Sequence, residues 1–261
     1  MTLQYNVFII NIIYMNNSLT IIITASFIPS HPNITIIEKT ITSLKLLTLP
    51  HDHKIILAHD FSDNNKYTEY LQNINTFIKD YDNILCVVRD SHGHLTGNIR
   101  NALQYVNSKY ILLVQHDLPF IKNINFNKIM QDMDENTNLK YIRFNKRKNT
   151  CIAWDSYAPN LWGEQVKQSN YIYTRTGAWS DNNHICLTSY YKDIIMDICK
   201  DGIPMELNPS IKYGKYAKNK KGFIQNCSDV NRHNIFGTYI FGPIKFPPTI
   251  NHLDGRHFLH I

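Results

Sequence analysis

Two aspartates stand where apolar runs of the sequence stop abruptly. The run Tyr110 to Val114 (YILLV) ends in Gln115-His116-Asp117 and then Pro119, and Lys54 to Ala58 (KIILA) ends in His59-Asp60-Phe61-Ser62-Asp63. An earlier run, Leu19 to Ala25, closes on Thr24-Ala25-Ser26, with the turn Pro29-Ser30-His31-Pro32 just beyond. An apolar run of this length that ends in polar residues and a turn signal reads as a buried strand whose carboxyl end emerges at a surface. In open α/β sheets that edge is where ligands bind. Asp60 and Asp117 would then lie on one edge and could approach the same bound molecule. Taken singly, each aspartate has a plainer reading, as the cap of the turn or helix that follows it.

The elements that would position these groups follow from periodicity. Apolar runs recur at Leu19 to Ala25, Lys54 to Ala58, Ile84 to Val88 and Tyr110 to Val114. Between them lie helical spacings over Ile34 to Leu47, Tyr67 to Ile78 and Asn98 to Val106. Strand, helix, strand at this repeat is the signature of an α/β fold with a mainly parallel sheet flanked by helices. Leu139 to Phe144 adds a strand, and Thr188 to Cys199 reads as a helix. The pattern then loosens into a loop-rich half with aromatic residues embedded among Asn, Ser and Gly. The expected organisation is one compact unit: an N-terminal extension over 1–17, with Met15 as an alternative start, a first half over 18–120 and a second over 121–261.

Composition bounds the function. A chain of 261 residues can bury a sizeable core. No segment supplies the roughly 20 continuous apolar residues that cross a bilayer. Lys and Arg number 27 against 21 Asp and Glu, a net charge of +6 that favours anionic partners without choosing among them. The five cysteines are scattered and form no C-x-x-C pair, so neither a disulfide framework nor a zinc site is suggested. The basic clusters Lys146-Arg147-Lys148 and Lys212 to Lys221 read first as solvated faces and second as a phosphate or nucleic-acid patch. No nucleic-acid-binding motif accompanies them. A cytoplasmic protein, from a large DNA virus or an AT-rich microbe, is the expected setting.

The order of these motifs resembles that of the A-type (GT-A fold) nucleotide-sugar glycosyltransferases, in particular the large inverting family that includes many polysaccharide synthases. The residues that carry the resemblance are Asp60-Phe61-Ser62-Asp63, then Gly97-Asn98-Ile99-Arg100-Asn101-Ala102, then Gln115-His116-Asp117, and they span about residues 18 to 120. It implies a Rossmann-like sheet with a loop-rich acceptor-side lobe, and a donor that is a UDP- or GDP-sugar. Thr24, Ala25 and Ser26 would line the nucleoside pocket, Asp60 would contact the base, and Arg100 would sit near the ribose. Asp117 would ligate a divalent cation, Mn2+ or Mg2+, that neutralises the diphosphate leaving group. Gln115 stands where the family has the first Asp of Asp-x-Asp; it can bond a ribose hydroxyl but brings no charge to a cation, so another donor is needed. His252 in the segment HLDGRH is that candidate, and Arg256 could pair with the diphosphate. Inverting transfer also needs a base for the acceptor hydroxyl. Glu206, approached by Pro204 and Met205, is the favoured base, with Asp181 binding acceptor hydroxyls and Trp179 offering a sugar-stacking face.

Three other readings stay open at this stage. Nucleotidyltransferases share a related sheet, but they place a Gly-rich segment and a Lys where this chain has ASFIPSHPN. A non-catalytic glycan-binding module with a decayed transferase fold is the reading that Gln115 keeps in play. A nucleic-acid binder rests on the basic clusters alone.

Overall fold

In the computed structural model of the chain, residues 18–149, 165–176, 179–217 and 230–253 are described. The strands β1 (Leu19–Ala25), β2 (Leu47–Thr48), β3 (Lys54–His59), β4 (Ile84–Val88) and β5 (Tyr110–Gln115) alternate with the helices α1 (Thr35–Ser43), α2 (Tyr67–Ile78) and α3 (His94–Ala102). Then come β6 (Ile124–Asn125), α4 (Phe126–Glu135), β7 (Tyr141–Arg143), β8 (Gln165–Lys167), β9 (Ile172–Arg175) and β10 (His184–Leu187). A helical stretch follows, α5 (Thr188–Tyr190) and α6 (Met196–Ile198) joined by a π turn over Tyr191–Ile195. The chain continues through α7 (Leu207–Ala217), α8 (Val230–Phe236) and β11 (Thr238–Phe241).

β1 and β5 read as unbroken apolar runs because both faces of their sheet are covered. Side chains alternate across a strand. Ile21, Ile23, Leu112 and Val114 pack on one face with Ile37 and Ile41 of α1, Ile74 of α2 and Ile129 of α4. Ile22, Ile111 and Leu113 pack on the other with Ile99 and Ala102 of α3 and with Tyr191 and Ile195 of the π turn. Burial on both sides removes the polar alternation that a half-exposed strand would show.

Among the described residues, nine strands form one sheet in the order β4-β3-β1-β5-β10-β7-β11-β9-β8, while β2 and β6 pair separately. The pairings β4-β3, β3-β1 and β1-β5 are parallel. Beyond β5 the sheet is mixed, with β10 antiparallel to both β5 and β7 and β7 parallel to β11. The second half of the chain therefore extends the sheet of the first. Its strands are short and carry little periodicity, and they are held by local polar ties. The buried carboxylate of Asp132 on α4 accepts from the Asn170 and Tyr171 backbone N–H groups at 3.0 and 3.1 Å and from the Tyr173 hydroxyl at 2.7 Å. That anchors the β8-β9 hairpin to α4.

Two features set the carboxyl edge. Register aligns Thr24 of β1 with Ala58 of β3 and Gln115 of β5, so the three strand ends finish level. The segment after β11 then returns along the 117–121 turn. Ile121 N–H donates to Thr249 O at 2.9 Å, Asn251 N–H to Pro119 O at 2.9 Å, and Leu253 N–H to Asp117 O at 2.8 Å. No helix among the described residues is long and apolar enough to cross a membrane.

Candidate active site

A cavity of about 240 Å³ opens at the carboxyl edge. Thr24, Ala25, Ser26, Asp60 and Gln115, the residues expected there from sequence, all line it. The remaining wall comes from Asn98 and His116, which stand inside the motifs named above, and from His92, His94 and Leu95, which sequence reasoning did not single out.

Asp60 is buried, and its carboxylate is held by the turn into α3. Oδ1 accepts from Gly93 N–H at 2.8 Å and Phe61 N–H at 3.1 Å, and Oδ2 lies 2.9 Å from His92 Nδ1. Arg89 approaches at 3.8 Å. Its guanidinium crosses the start of α3, where Nη1 donates to Gly97 O at 2.7 Å. A Cβ on Gly93 would come within 2.5 Å of Arg89 Nε and one on Gly97 within 3.1 Å of its Cζ, so the two glycines leave room for the guanidinium. His94 adopts φ 54°, a left-handed conformation uncommon outside glycine, at the first residue of α3. Asn98 then fastens the helix to the sheet, its Nδ2 donating to Ala25 O at 3.1 Å and Ala58 O at 2.7 Å.

Arg100 does not join this cavity. Its guanidinium lies 3.3 Å from Asp201 Oδ1 and donates to Cys199 O at 3.0 Å. The reason is helical phase: two residues on an α-helix are separated by about 200°, so with Asn98 facing the strand ends Arg100 faces away. That phase was available in the sequence, since Ile99 and Ala102 mark the buried face. Arg256 lies outside the described residues.

The tertiary fold brings Asp117 and His252 together. His252 Nε2 is 3.2 Å from Asp117 Oδ2, and both side chains are partly exposed. The returning segment described above causes this contact. Next to Asp117 in the chain, His116 points Nδ1 at Thr24 O, 3.2 Å away. Burial lowers its pKa, and the adjacent Asp117 only partly offsets this.

Gln115 couples the cavity to a second acidic group. Its backbone N–H donates to Asn183 Oδ1 at 2.9 Å and its Nε2 to Asp181 O at 2.8 Å. Asp181 and Glu206 face each other there, and Glu206 Oε1 accepts from Ser180 Oγ at 2.5 Å and from Asp181 N–H at 2.9 Å. Burial, followed by the charge of Glu206, pushes the Asp181 carboxyl up to about 8. Burial works against the charge of Glu206 too, but hydrogen bonds from Asp181 and Ser180 outweigh it and hold that carboxyl below its usual range. The pair thus shares one proton at neutral pH, with the charge resting on Glu206.

Trp179 departs from expectation. It is buried against Tyr141 and His184, at ring separations of 5.8 and 6.0 Å, so it packs the core beneath the 180–183 turn and offers no face to a sugar. Trp154 and Trp162, for which core packing is the expectation from sequence, lie outside the described residues.

A parallel sheet with helices on both faces, extended by antiparallel strands and carrying its polar residues at the carboxyl edge, is the GT-A class of architecture. The sequence profile of Glycosyl transferase family 2 matches residues 26–194, and the chain belongs to that family. Solved structures of the same fold include S. aureus TarS 1-349, at 14% identity and a TM-score of 0.51, covering 92% of this chain and 62% of that one. The same protein in complex with UDP-GlcNAc gives 12%, 0.53, 90% and 58%. The mannosyltransferase PcManGT from Pyrobaculum calidifontis, in complex with GDP-Man and Mn2+, gives 8%, 0.50, 85% and 56%. The chain spans less than two thirds of the length of these structures. No curated protein matches the sequence significantly.

Proposed function

We propose that this chain is a glycosyltransferase that moves a sugar from a nucleoside diphosphate donor, UDP- or GDP-linked, to a hydroxyl of a glycan or glycoprotein acceptor, with metal assistance and inversion. One observation carries the reading. Gln115 and Asp117, two residues apart at the end of β5, link a nucleoside-sized cavity to a carboxylate–imidazole pair on one side and a proton-sharing acid pair on the other.

Asp117 and His252 fit a divalent cation in part. Among the described residues no cluster of three or more His, Cys, Asp or Glu side chains gathers; Asp117 and His252 are the two donors these residues offer, and the donor diphosphate and water would add to them. An imidazole beside a carboxylate suits Mn2+ better than Mg2+. The bound cation would stabilise the departing diphosphate. Thr24, Ala25, Ser26 and Asp60 hold the nucleoside, and Gln115 offers its side chain to the ribose. Glu206, ionised at neutral pH, takes the proton of the attacking hydroxyl, while protonated Asp181 donates a hydrogen bond to an acceptor oxygen.

The test is release of nucleoside diphosphate from a panel of UDP- and GDP-sugars with Mn2+, with NMR of the product's anomeric proton for stereochemistry. Turnover with an inverted product supports the reading. A purified protein that neither binds nor hydrolyses any of these donors refutes it.

A further inference from the structure

Asn183 stands just before β10 with no exposed surface. Its side chain spans the turn that ends β5: Oδ1 accepts from Gln115 N–H at 2.9 Å, and Nδ2 donates to Leu118 O at 2.7 Å. A backbone N–H can only donate and a carbonyl can only accept, so the orientation of the amide is fixed by its two partners. Gln115 and Leu118 are the first and last residues of that turn, which Leu118 N–H also closes by donating to Gln115 O at 3.1 Å. The two residues between them are His116 and Asp117. Asn183 therefore clamps, at both ends, the backbone that carries Asp117. The far side of the turn is held as well, by Thr40 Oγ1 donating to His116 O at 2.6 Å and Leu253 N–H donating to Asp117 O at 2.8 Å.

The same residue belongs to the turn of the acid pair. It follows Asp181, whose N–H donates to Glu206 Oε1 and whose carbonyl accepts from Gln115 Nε2. Asn183 O accepts from Phe144 N–H at 2.8 Å, which fastens the 180–183 turn to the end of β7. An apolar side chain would fill the space but would take a hydrogen bond from both Gln115 N–H and Leu118 O. On the transferase reading above, Asp117 serves the leaving diphosphate and Glu206 the attacking hydroxyl, on opposite sides of one sugar carbon. The separation of the two turns then sets the line of attack, and a misplacement of about 1 Å in such a line costs on the order of 100-fold in rate.

We infer that Asn183 is a positioning residue for this reaction: resting on the transferase reading, its buried amide fixes the turn of Asp117 against the Asp181–Glu206 pair. It acts through Gln115 and Leu118 and needs no contact with donor, acceptor or cation.

Two variants are compared with wild type. Asn183→Asp keeps the shape and the acceptor for Gln115 N–H but sets an oxygen against Leu118 O. Asn183→Ala opens a polar-lined gap that water can fill, so the test survives if the first variant does not fold. Mn2+ affinity in the presence of UDP or GDP is read from the EPR signal of the free ion, nucleotide affinity in EDTA by calorimetry, and kcat by release of nucleoside diphosphate. Mn2+ affinity is expected to fall about 10-fold and kcat about 100-fold, with metal-free nucleotide affinity held within about threefold. A variant that melts earlier but keeps wild-type Mn2+ affinity and kcat has lost packing alone and overturns the inference, as does an equal loss of metal-free nucleotide affinity. A wild-type protein that shows neither Mn2+ binding with these nucleotides nor turnover of any donor refutes the transferase reading itself, before any variant is made.

Discussion

The proton shared by Asp181 and Glu206 should be visible as a pH dependence of stability. In the unfolded chain both carboxyls titrate near their ordinary values, so above about pH 5.5 both are ionised there. In the folded chain Asp181 keeps its proton until about pH 8. Between those limits the native state binds one more proton than the unfolded state, so stability falls as pH rises. The slope is up to about 1.4 kcal/mol per pH unit, or at most about 3 kcal/mol between pH 6 and 8. Glu206 has the opposite sign: its lowered pKa contributes stability that is lost only on acidification below its ordinary range, outside this window. Asp181→Asn isolates the effect, because an asparagine amide can donate to Glu206 as the protonated acid does, yet cannot ionise. Urea unfolding at pH 6, 7 and 8 on wild type and variant, compared as a difference, cancels every histidine that titrates in both. Wild type should lose ground to the variant at each step upward in pH. Parallel stability profiles for the two proteins would refute the shared proton, and with it the assignment of the charge to Glu206.

Other predictions concern the site and its supports. Asp117→Ala should lower kcat/KM by roughly 100-fold or more, and His252→Ala should raise the Mn2+ concentration for half-maximal activity by about 10-fold, both read from a metal titration of turnover. Asn98→Ala removes a buried donor from both the Ala58 carbonyl and the Ala25 carbonyl, the latter keeping the Asp60 N–H, and should cost roughly 1–2 kcal/mol in urea unfolding. Arg100→Ala should leave nucleotide affinity within about twofold, since its partners are Asp201 and the carbonyls that end α6, and the ion pair is largely solvent-exposed. A large loss of nucleotide affinity in that variant would return Arg100 to the ribose.

The sequence by itself determined the first half of the fold. β1, β3 and β5 are legible because two-sided burial demands unbroken apolar runs, and α2 begins and ends where its periodicity does, at Tyr67 and Ile78. The strand ends are legible for the same reason: polarity can resume only where the sheet stops, which is why Thr24, Asp60 and Gln115 could be set on one edge without coordinates. Tertiary structure alone decided the rest. His252 meets Asp117 across a separation of 135 residues through three backbone hydrogen bonds that have no side-chain signature. β10 finds its place between β5 and β7 though only four residues long, because its edge groups are satisfied on both sides. The shift of Asp181 depends on an acid 25 residues away whose nearness no spacing rule encodes. Sequence periodicity reports which face of an element is buried; which distant groups then share a proton, a metal or a base depends on how the loops between elements return.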